Sequence, residues 1–420
     1  MFECLSIIIL NMSRIDSLLN TDVTIIWAWM YVHDVILPSI YHLQRIGKVW
    51  NISVCTRQKK SIDNILKNSK INDAFPNQSF TSYVSENLDS FDYKTAIKNM
   101  PDNNTVVISV PDHLHFEIVM EALNCNQNVL CVKPLTLDYK ESKEIAKLAK
   151  SKGLFVWIEY HKRFDNRSLL AKKAYEKWDF WNFSIWEAKM IEPWNYRLSN
   201  FQNWFTKDDA DPFSYVWCHY VDLVSFITNL KVKEISVKWW LGKFPNGNEW
   251  YMWTSSRLVY ENDWILSMTN WLGYPDKWAW FNEQSLMMFF EQENNSTVLK
   301  HDDQFRWCSH IYDNKESDLF KYVNPDFFQL IPWNWEWYKP TGYWYNSIDN
   351  IINEILTIRN ISNLEDKKEF LSKVDSKWII ATPYNTNLTD LVLEAWRVSL
   401  KNNWAIVEIH YWENPWFIIK

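Results

Sequence analysis

The stretch "TDVTIIWAWMYVHDVILPSI", residues 21–40, decides the fold of the first part of the chain. A β-branched run at 23–26 predicts a buried strand, and the apolar residues from Val32 onward recur at helical spacing. Between strand and helix stands W-A-W at 27–29. A strand–turn–helix unit that binds a dinucleotide has G-x-G at this junction, because the chain turns tightly there and its backbone approaches a pyrophosphate. Tryptophan is the least suitable residue for either role.

The amino-acid composition of the whole chain likewise shows tryptophan in excess and glycine in short supply. The 420 residues include 6 glycines and 28 tryptophans, whereas an average chain of this length has roughly 29 glycines. Some bacterial lineages read the UGA codon as glycine, and other code tables read it as tryptophan. We therefore interpret many of these positions as glycine in the functional protein; the alternative is a tryptophan-rich chain as written. The positions where turn chemistry favours glycine include Trp50, Trp264, Trp278, Trp280 and Trp404.

Other tryptophans do not fit that interpretation. Trp194, Trp204 and Trp253 lie in aromatic or polar surroundings without a turn signal, and we interpret them as tryptophan. The adjacent Trp239 and Trp240 cannot be assigned from the sequence.

The bulk properties argue against several classes of protein. The net charge is −7 and the basic residues are dispersed, which is not typical of proteins that bind nucleic acid or membrane surfaces. The six cysteines show no C-x-x-C pair and no metal-ligand spacing, which favours reduced thiols in a cytoplasmic protein without a metal site. The apolar run near the N-terminus is too short for a signal peptide, and no run has the length of a membrane span.

The first part of the chain alternates between strand-like and helix-like segments. The clearest helix is "LDYKESKEIAKLAKSKG" at 137–153, in which Gly153 marks the C-terminal end. Apolar strands that alternate with helices predict a parallel, doubly wound sheet. The strand-like runs are 23–26, 51–55, 105–110, 128–131 and 154–158.

After about residue 165 the segments become longer and alternate between polar and apolar residues, which predicts an open, mostly antiparallel sheet. Two helices are predicted near 346–359 and 387–401. The predicted fold is a Rossmann-type α/β domain followed by an α+β domain, with the closing helices either in the second domain or packed back on the first. The predicted boundaries are 1–20 for an N-terminal extension, 21–160 for the first domain and 161–420 for the second.

The predicted turn supplies the first candidates for a cofactor site. With glycine at 27 and 29, it would lead into a helix N-terminus, where free N–H groups and the helix dipole favour a phosphate. The second strand ends in Thr56 and Arg57, where a NAD site usually has an acidic residue for the ribose 2′-hydroxyl. Arginine suits a 2′-phosphate, so we predict NADP rather than NAD, the alternative being an ordinary surface arginine. The turn residues in this prediction are Trp27, Ala28, Trp29 and Met30.

The most specific block lies at 107–165. It contains V-P-D-H-L-H at 110–115, V-K-P at 132–134 and E-Y-H-K-R-F-D at 159–165. With these motifs the chain resembles the Gfo/Idh/MocA oxidoreductase family, which has T-P-N-x-x-H and E-K-P at the first two places. The departures are the two tryptophans of the first turn and Val132 in place of glutamate. The resemblance implies cofactor contacts from Val110, Pro111, His115 and Lys133, and a proton-transferring role for Lys133; read alone, the K-P pair is more simply a surface lysine with an incidental proline.

A second block, "DADPFSYVWCHYVDLVSFI" at 209–227, falls on the family pattern L-x-D-x-G-x-H-x-x-D. Tyr215 and Trp217 replace the usual aspartate and glycine, while His219 and Asp222 match. On an α-helix Tyr215, His219 and Asp222 share one face. The resemblance implies that His219 and Tyr215 are catalytic, and we predict that Asp222 orients the imidazole. The alternative is a helix that packs its aromatic face on the sheet around a core histidine.

Weaker candidates for substrate contacts follow the strand at 154–158 and lie in the segment "EPWNYRLSNFQNWF". Each is as readily a structural residue. They are His161, Lys162, Arg163, Trp194, Arg197 and Asn203.

The resemblance implies an oxidoreductase that transfers hydride between NADP or NAD and a secondary alcohol or ketone of a sugar, sugar acid or cyclitol. It also implies a homodimer or homotetramer formed through the antiparallel sheet. Two other functions stay open, a non-catalytic sugar- or nucleotide-binding protein and a glycoside hydrolase that uses NAD transiently. Tryptophan at 27 and 29 would favour the binding protein, since it would fill the cofactor space.

Overall fold

The computed structural model contains two compact units, each with its own sheet. Unit 1 comprises the described residues up to Val132, Lys143–Glu159 and Phe328–Asn385; unit 2 comprises Lys133–Ser142, the described part of Tyr160–Phe327, and Thr386–Lys420. The structure describes residues 20–28, 30–85, 92–177, 183–277, 282–291, 296–302, 308–314, 317–323, 326–333, 337–412 and 414–420. Trp29, Trp278 and Trp280 lie outside the described residues.

The main sheet of unit 1 has six parallel strands in the order β3-β2-β1-β4-β5-β6. Its central strands are buried on both faces, which explains their almost continuous Val/Ile composition. The strand order reverses between β1 and β4, and the carboxyl ends of strands at such a reversal form a ligand-binding crevice. The predicted Rossmann-type fold is therefore confirmed. The strands are β1 (Thr21–Ile26), β2 (Val49–Thr56), β3 (Thr81–Val84), β4 (Thr105–Ile108), β5 (Asn128–Val132) and β6 (Val156–Glu159).

The main sheet of unit 2 has eight strands in the order β12-β11-β7-β10-β9-β8-β17-β18. All neighbours are antiparallel except β7 and β10, so the sheet is mixed but mostly antiparallel, as predicted. The long strands alternate between a buried and an exposed face. The strands are β7 (Phe183–Pro193), β8 (Val232–Lys243), β9 (Glu249–Tyr260), β10 (Ile265–Tyr274), β11 (Glu283–Glu291), β12 (Ser296–Asp302), β17 (Val407–His410) and β18 (Trp416–Ile419).

Two further antiparallel pairs of strands form separate two-stranded sheets. They are β13 (Cys308–Asn314) with β14 (Ser317–Val323) and β15 (Gln329–Trp333) with β16 (Trp337–Thr341). The α-helices are α1 (Leu37–Arg45), α2 (Lys59–Leu66), α3 (Ser69–Ala74), α4 (Tyr93–Lys98), α5 (His115–Asn124), α6 (Tyr139–Lys152), α7 (Asn166–Glu176), α8 (Cys218–Thr228), α9 (Tyr343–Arg359), α10 (Leu364–Lys377) and α11 (Pro383–Lys401). In the described part of the chain no helix combines the length and apolarity of a membrane span.

Three described tryptophans have left-handed backbone conformations. Trp27 has φ +85°, Trp378 has φ +56° and Trp404 has φ +59°. Trp378 follows the last residue of α10, a position that glycine usually occupies. Trp404 follows Asn403, which has φ +54°, and two successive residues with positive φ are the conformation for which Asn-Gly is preferred. The backbone at these three positions therefore has a conformation that glycine adopts readily and other residues rarely adopt.

Two of the turn predictions for tryptophan are corrected. Trp50 lies inside β2 with 64% of its surface exposed, and it is not among the residues with positive φ. Trp264 does lie in the β9–β10 hairpin turn, but the left-handed residue there is Asp263 at φ +65°. A run of polar residues before a strand does not reveal which residue of a turn takes the positive φ.

We expect Trp378→Gly to raise the free energy of unfolding by about 1 kcal/mol, because a left-handed conformation costs an L-residue about 1–2 kcal/mol and costs glycine almost nothing. Urea denaturation of the two proteins measures the difference. The matched control is Trp50→Gly in the exposed part of β2, which we expect to lower stability by about 0.5–1 kcal/mol. Equal effects of the two substitutions would contradict the conformational explanation.

Candidate active site

The candidate cofactor-binding segment of unit 1 follows β1. β1 ends at Ile26, the left-handed Trp27 donates its N–H to the Cys55 carbonyl oxygen at 2.7 Å, and helical structure begins at Met30. The chain thus leaves a central strand through the positive-φ residue Trp27, and helical structure is described from Met30 onward. A positive-φ residue between such a strand and a helix is typical of turns that bind phosphate.

The other cofactor candidates of unit 1 follow neighbouring strands. Thr56 is buried at the end of β2 and Arg57 follows it, partly exposed. Val110 and Pro111 follow β4. His115 is completely buried, and its Nε2 lies 3.0 Å from the Val110 carbonyl oxygen, so its ring holds the β4–α5 loop.

Unit 2 contains a separate group of candidate catalytic residues, which begins with Lys133, the residue after β5. Lys133 is joined to Pro134 by a cis peptide bond. Its Nζ donates to the Tyr215 carbonyl oxygen and lies 3.5 Å from the Ser214 carbonyl oxygen. The same Nζ lies 4.8 Å from the centre of the Tyr215 ring. Lys133 and the 209–227 block, predicted separately from the sequence, are therefore in contact.

The block around Tyr215 is not a continuous α-helix. Phe213–Trp217 forms a π-helical turn, and α8 begins only at Cys218. The π-turn interrupts the continuous α-helix on which a shared face of Tyr215, His219 and Asp222 was predicted, and the three side chains have different contacts. The Tyr215 ring packs edge-on against Phe201 and Phe205 at 5.2 and 4.8 Å. Tyr215 thus contributes its carbonyl and ring face to Lys133 while its ring belongs to an aromatic cluster.

His219 lies in a compact group of buried aromatic and basic side chains. Its ring centre is 4.5 Å from that of His161 and 5.8 Å from that of Tyr160. Burial, followed by the charges of His161, Lys133 and Lys162, lowers the pKa of His219 well below its usual range. The imidazole is consequently neutral at pH 7. Its Nδ1 is buried without a hydrogen-bond partner in the described structure, which leaves a polar atom for a ligand.

Asp222 does not orient His219, contrary to the prediction. Its two carboxylate oxygens accept hydrogen bonds from Arg163 at 2.5 and 2.7 Å, and both side chains are buried. A bidentate buried pair satisfies both charges, so Arg163 and Asp222 fix α8 against the segment after β6. Nearby, burial and the charge of Asp222 raise the pKa of Asp390 to about 8.

Glu192 was not predicted as a site residue from the sequence; it lies on the buried face of β7. Its Oε1 accepts from Gln284 Nε2 at 3.1 Å, and Gln284 Oε1 accepts from Lys162 Nζ at 3.2 Å. Burial raises the pKa of Glu192 to about 7, although Asn282, Gln284, Lys162 and Lys133 all act to lower it. The alternation along the strand could have identified it, because Glu192 lies at a spacing of two residues from the buried Trp186, Ala188 and Met190. Residues at this spacing share one face of a strand.

The remaining candidates belong to the segment after β7. Arg197 Nε donates to the Leu272 carbonyl oxygen at 2.6 Å, and its guanidinium lies 5.8 Å from the centre of the Trp194 ring. Trp194 is 43% exposed and Asn203 is exposed. These contacts hold the segment to β10. Among the described residues no three His, Cys, Asp or Glu side chains are grouped as metal ligands.

Residues 49–160 match the family model GFO_IDH_MocA, described as an oxidoreductase family with an NAD-binding Rossmann fold. The matched segment begins after the 27–29 turn. An uncharacterised oxidoreductase of Schizosaccharomyces pombe is 36% identical over 148 residues, which is 34% of this chain and 35% of that protein. The NADP(+)-dependent scyllo-inositol 2-dehydrogenase of Bacillus subtilis is 30% identical over 77 residues, 18% of this chain and 22% of that protein. The aligned part thus spans about a third or less of these relatives.

The solved structure of apo scyllo-inositol dehydrogenase from Lactobacillus casei superposes with a TM-score of 0.63 and 12% identity, covering 93% of this chain and 98% of that one. At this identity the likeness concerns the fold. Residues 49–160 are therefore similar to the NAD-binding Rossmann part of that oxidoreductase family, and the fold of the chain is similar to that of the inositol dehydrogenase structure.

Proposed function

We propose that this protein transfers hydride between NADP or NAD and a secondary alcohol or ketone of a sugar or cyclitol, with sugar acids as a further substrate class. The observation that carries the proposal is the group of Lys133, His219 and His161 in unit 2. Alcohol oxidation needs a protein group that exchanges the hydroxyl proton and another that orients the alcohol. A lysine beside a neutral imidazole can serve these two roles.

The backbone conformation of residue 27 fits a dinucleotide-binding turn, whereas a tryptophan side chain at that position does not. A φ of +85° is a glycine conformation, and a side chain on that residue hinders the close approach of a pyrophosphate. We therefore propose glycine at positions 27 and 29 of the functional protein. Arg57 after β2 supports NADP over NAD, because it can pair with a 2′-phosphate.

Bound NAD(P) would accept or donate the hydride, and the chain would manage the proton and the orientation. In the proposed reaction Lys133 Nζ takes the hydroxyl proton during oxidation and returns it during reduction. His219, held neutral by its surroundings, binds the same oxygen through a ring nitrogen. Tyr215 orients Lys133 through its carbonyl oxygen.

We also propose that the outer face of the unit 2 sheet joins copies of the chain into a dimer or tetramer. Large apolar residues lie exposed on it, and a contiguous patch of this kind usually marks an interface. They include Ile185, Trp240, Trp271, Phe289 and Val298.

Net redox turnover tests the proposed activity. The full chain with glycine at 27 and 29 is incubated with NADP or NAD and, in turn, scyllo-inositol, myo-inositol, D-glucose and D-glucuronate, while absorbance at the reduced-nicotinamide band is recorded. We expect reduced cofactor to accumulate with at least one compound, faster with NADP. Release of a sugar from a glycoside without net cofactor reduction would indicate the hydrolase, and binding without either reaction would indicate a sensor.

A further inference from the structure

Glu192 is a buried acidic group that the proposed reaction does not use. It lies near the end of β7 on the face that packs inward, with 5% of its surface exposed. Lys133 and Lys162 both act electrostatically on its carboxyl group, and both also act on His219. Glu192 therefore belongs to the same polar group as the proposed catalytic residues.

The partners of this carboxyl group are neutral. Gln284 donates to Oε1 at 3.1 Å, and Asn282 Nδ2 lies 3.4 and 3.5 Å from the two oxygens. A carboxylate offers about four acceptor positions, so these amides leave acceptor capacity for hydroxyl donors. The titratable and charged groups that act on it are Lys162, from the segment after β6, and Lys133, after β5, while β11 presents the uncharged Gln284.

The basic side chains of this group already donate hydrogen bonds to acceptors within the protein. Lys133 donates to the Tyr215 carbonyl oxygen, Lys162 donates to Gln284 Oε1, and Arg163 is paired with Asp222. A ligand carboxylate would approach Glu192 with like charge and would offer it no hydrogen-bond donor. A ligand hydroxyl can donate a hydrogen bond to Glu192 and carries no charge.

We infer that Glu192 is a substrate-binding residue that accepts hydrogen bonds from hydroxyl groups and selects uncharged polyhydroxyl compounds over the corresponding carboxylic acids. The inference rests on the proposed function and narrows its substrate class to neutral sugars and cyclitols. Since burial raises the pKa of Glu192 to about 7, the acceptor becomes fully charged only above neutrality. Neutral polyols should bind more tightly at pH 8 than at pH 6, and acidic sugars less tightly.

Calorimetric titration with three probes tests this. D-glucose, myo-inositol and D-glucuronate are titrated into the NADP-loaded full chain carrying glycine at 27 and 29, at pH 6 and pH 8. We expect at least one neutral probe to bind more tightly than D-glucuronate at pH 8. In Glu192→Gln that binding should weaken roughly ten- to hundredfold, the range for loss of a hydrogen bond to a charged group, and its pH dependence should disappear. The matched control is Glu187→Gln, an exposed position on the opposite face of β7, which should change neither.

Three results would overturn the inference: tighter binding of D-glucuronate at pH 8, unchanged pH dependence in Glu192→Gln, or no binding of either neutral probe. If Glu192 had only a structural role, Glu192→Gln would lower the melting temperature without altering the pH dependence of binding. Binding that follows Glu192 in a protein without redox turnover would keep this inference and reject the proposed reaction. Redox turnover together with substrate binding that Glu192→Gln does not change would keep the proposed reaction and reject this inference.

Discussion

Lys133→Met is expected to lower kcat by roughly 10²–10⁴-fold, the usual contribution of a positioned acid/base group. Methionine keeps the length of the side chain but cannot exchange a proton. Lys133 Nζ lies against the Tyr215 carbonyl oxygen, so the loss would remove the group placed next to the His219 block. Stopped-flow measurement of reduced NADP separates this step from binding, and we expect the affinity for NADP to change by less than the rate.

Lys133→Arg separates chemistry from structure. Arginine can still donate to the Tyr215 carbonyl oxygen, but its guanidinium does not give up a proton in proteins. We therefore expect a folded protein that is nearly as inactive as Lys133→Met. Lys189→Met, an outward position of β7 in an ion pair with Glu187, is the matched control and should keep its activity. Full activity in Lys133→Arg would remove Lys133 from the proton-transfer step.

Trp27→Gly has the second large expected effect, on cofactor affinity. With Trp29→Gly added, we expect NADP to bind at least tenfold more tightly than to the chain as written. The substitution removes the side chain from a residue at φ +85° and lets phosphate oxygens reach the N–H groups at the helix start near Met30. It also relieves about 1–2 kcal/mol of backbone strain. Titration of NADPH fluorescence measures the affinity, and urea denaturation measures the stability.

Trp50→Gly is the control, because Trp50 is exposed in β2 of the same unit and has no positive φ. It should leave NADPH binding unchanged. Equal NADPH affinity of the chain as written and of the double variant would show that the turn does not bind the phosphate.

Local patterns were sufficient to predict most of the fold. Apolar, strand-like runs predicted β1, β2, β4, β5 and β6, and Gly153 at φ +65° does end α6. The short β3, exposed at two of its four residues, carries little apolar signal, and the sequence did not predict it. Helix α10 was also missed, since it buries few residues. Elements that bury few residues show little hydrophobic periodicity in the sequence, so they are difficult to predict from it.

The candidate site was predictable only where local sequence determines it. The contact of Lys133 with the Tyr215 segment agrees with the motifs that drew attention to both. The pairing of Arg163 with Asp222 joins positions 59 residues apart, and helical spacing within the block suggested a different partner for Asp222. The π-turn at Phe213–Trp217 shifts the side chains before α8, and no spacing rule reveals such an insertion in advance.

The identity of residue 27 is the most direct test, because the cofactor site and the left-handed turn both depend on it. The measurement is the mass of the proteolytic peptide spanning Ile15 to Arg45, taken from protein isolated from its native host. Glycine at positions 27 and 29 is the predicted result, and it would give the β1–α1 turn the residue that its backbone conformation requires. Tryptophan at both positions would contradict the cofactor site and with it the proposed oxidoreductase.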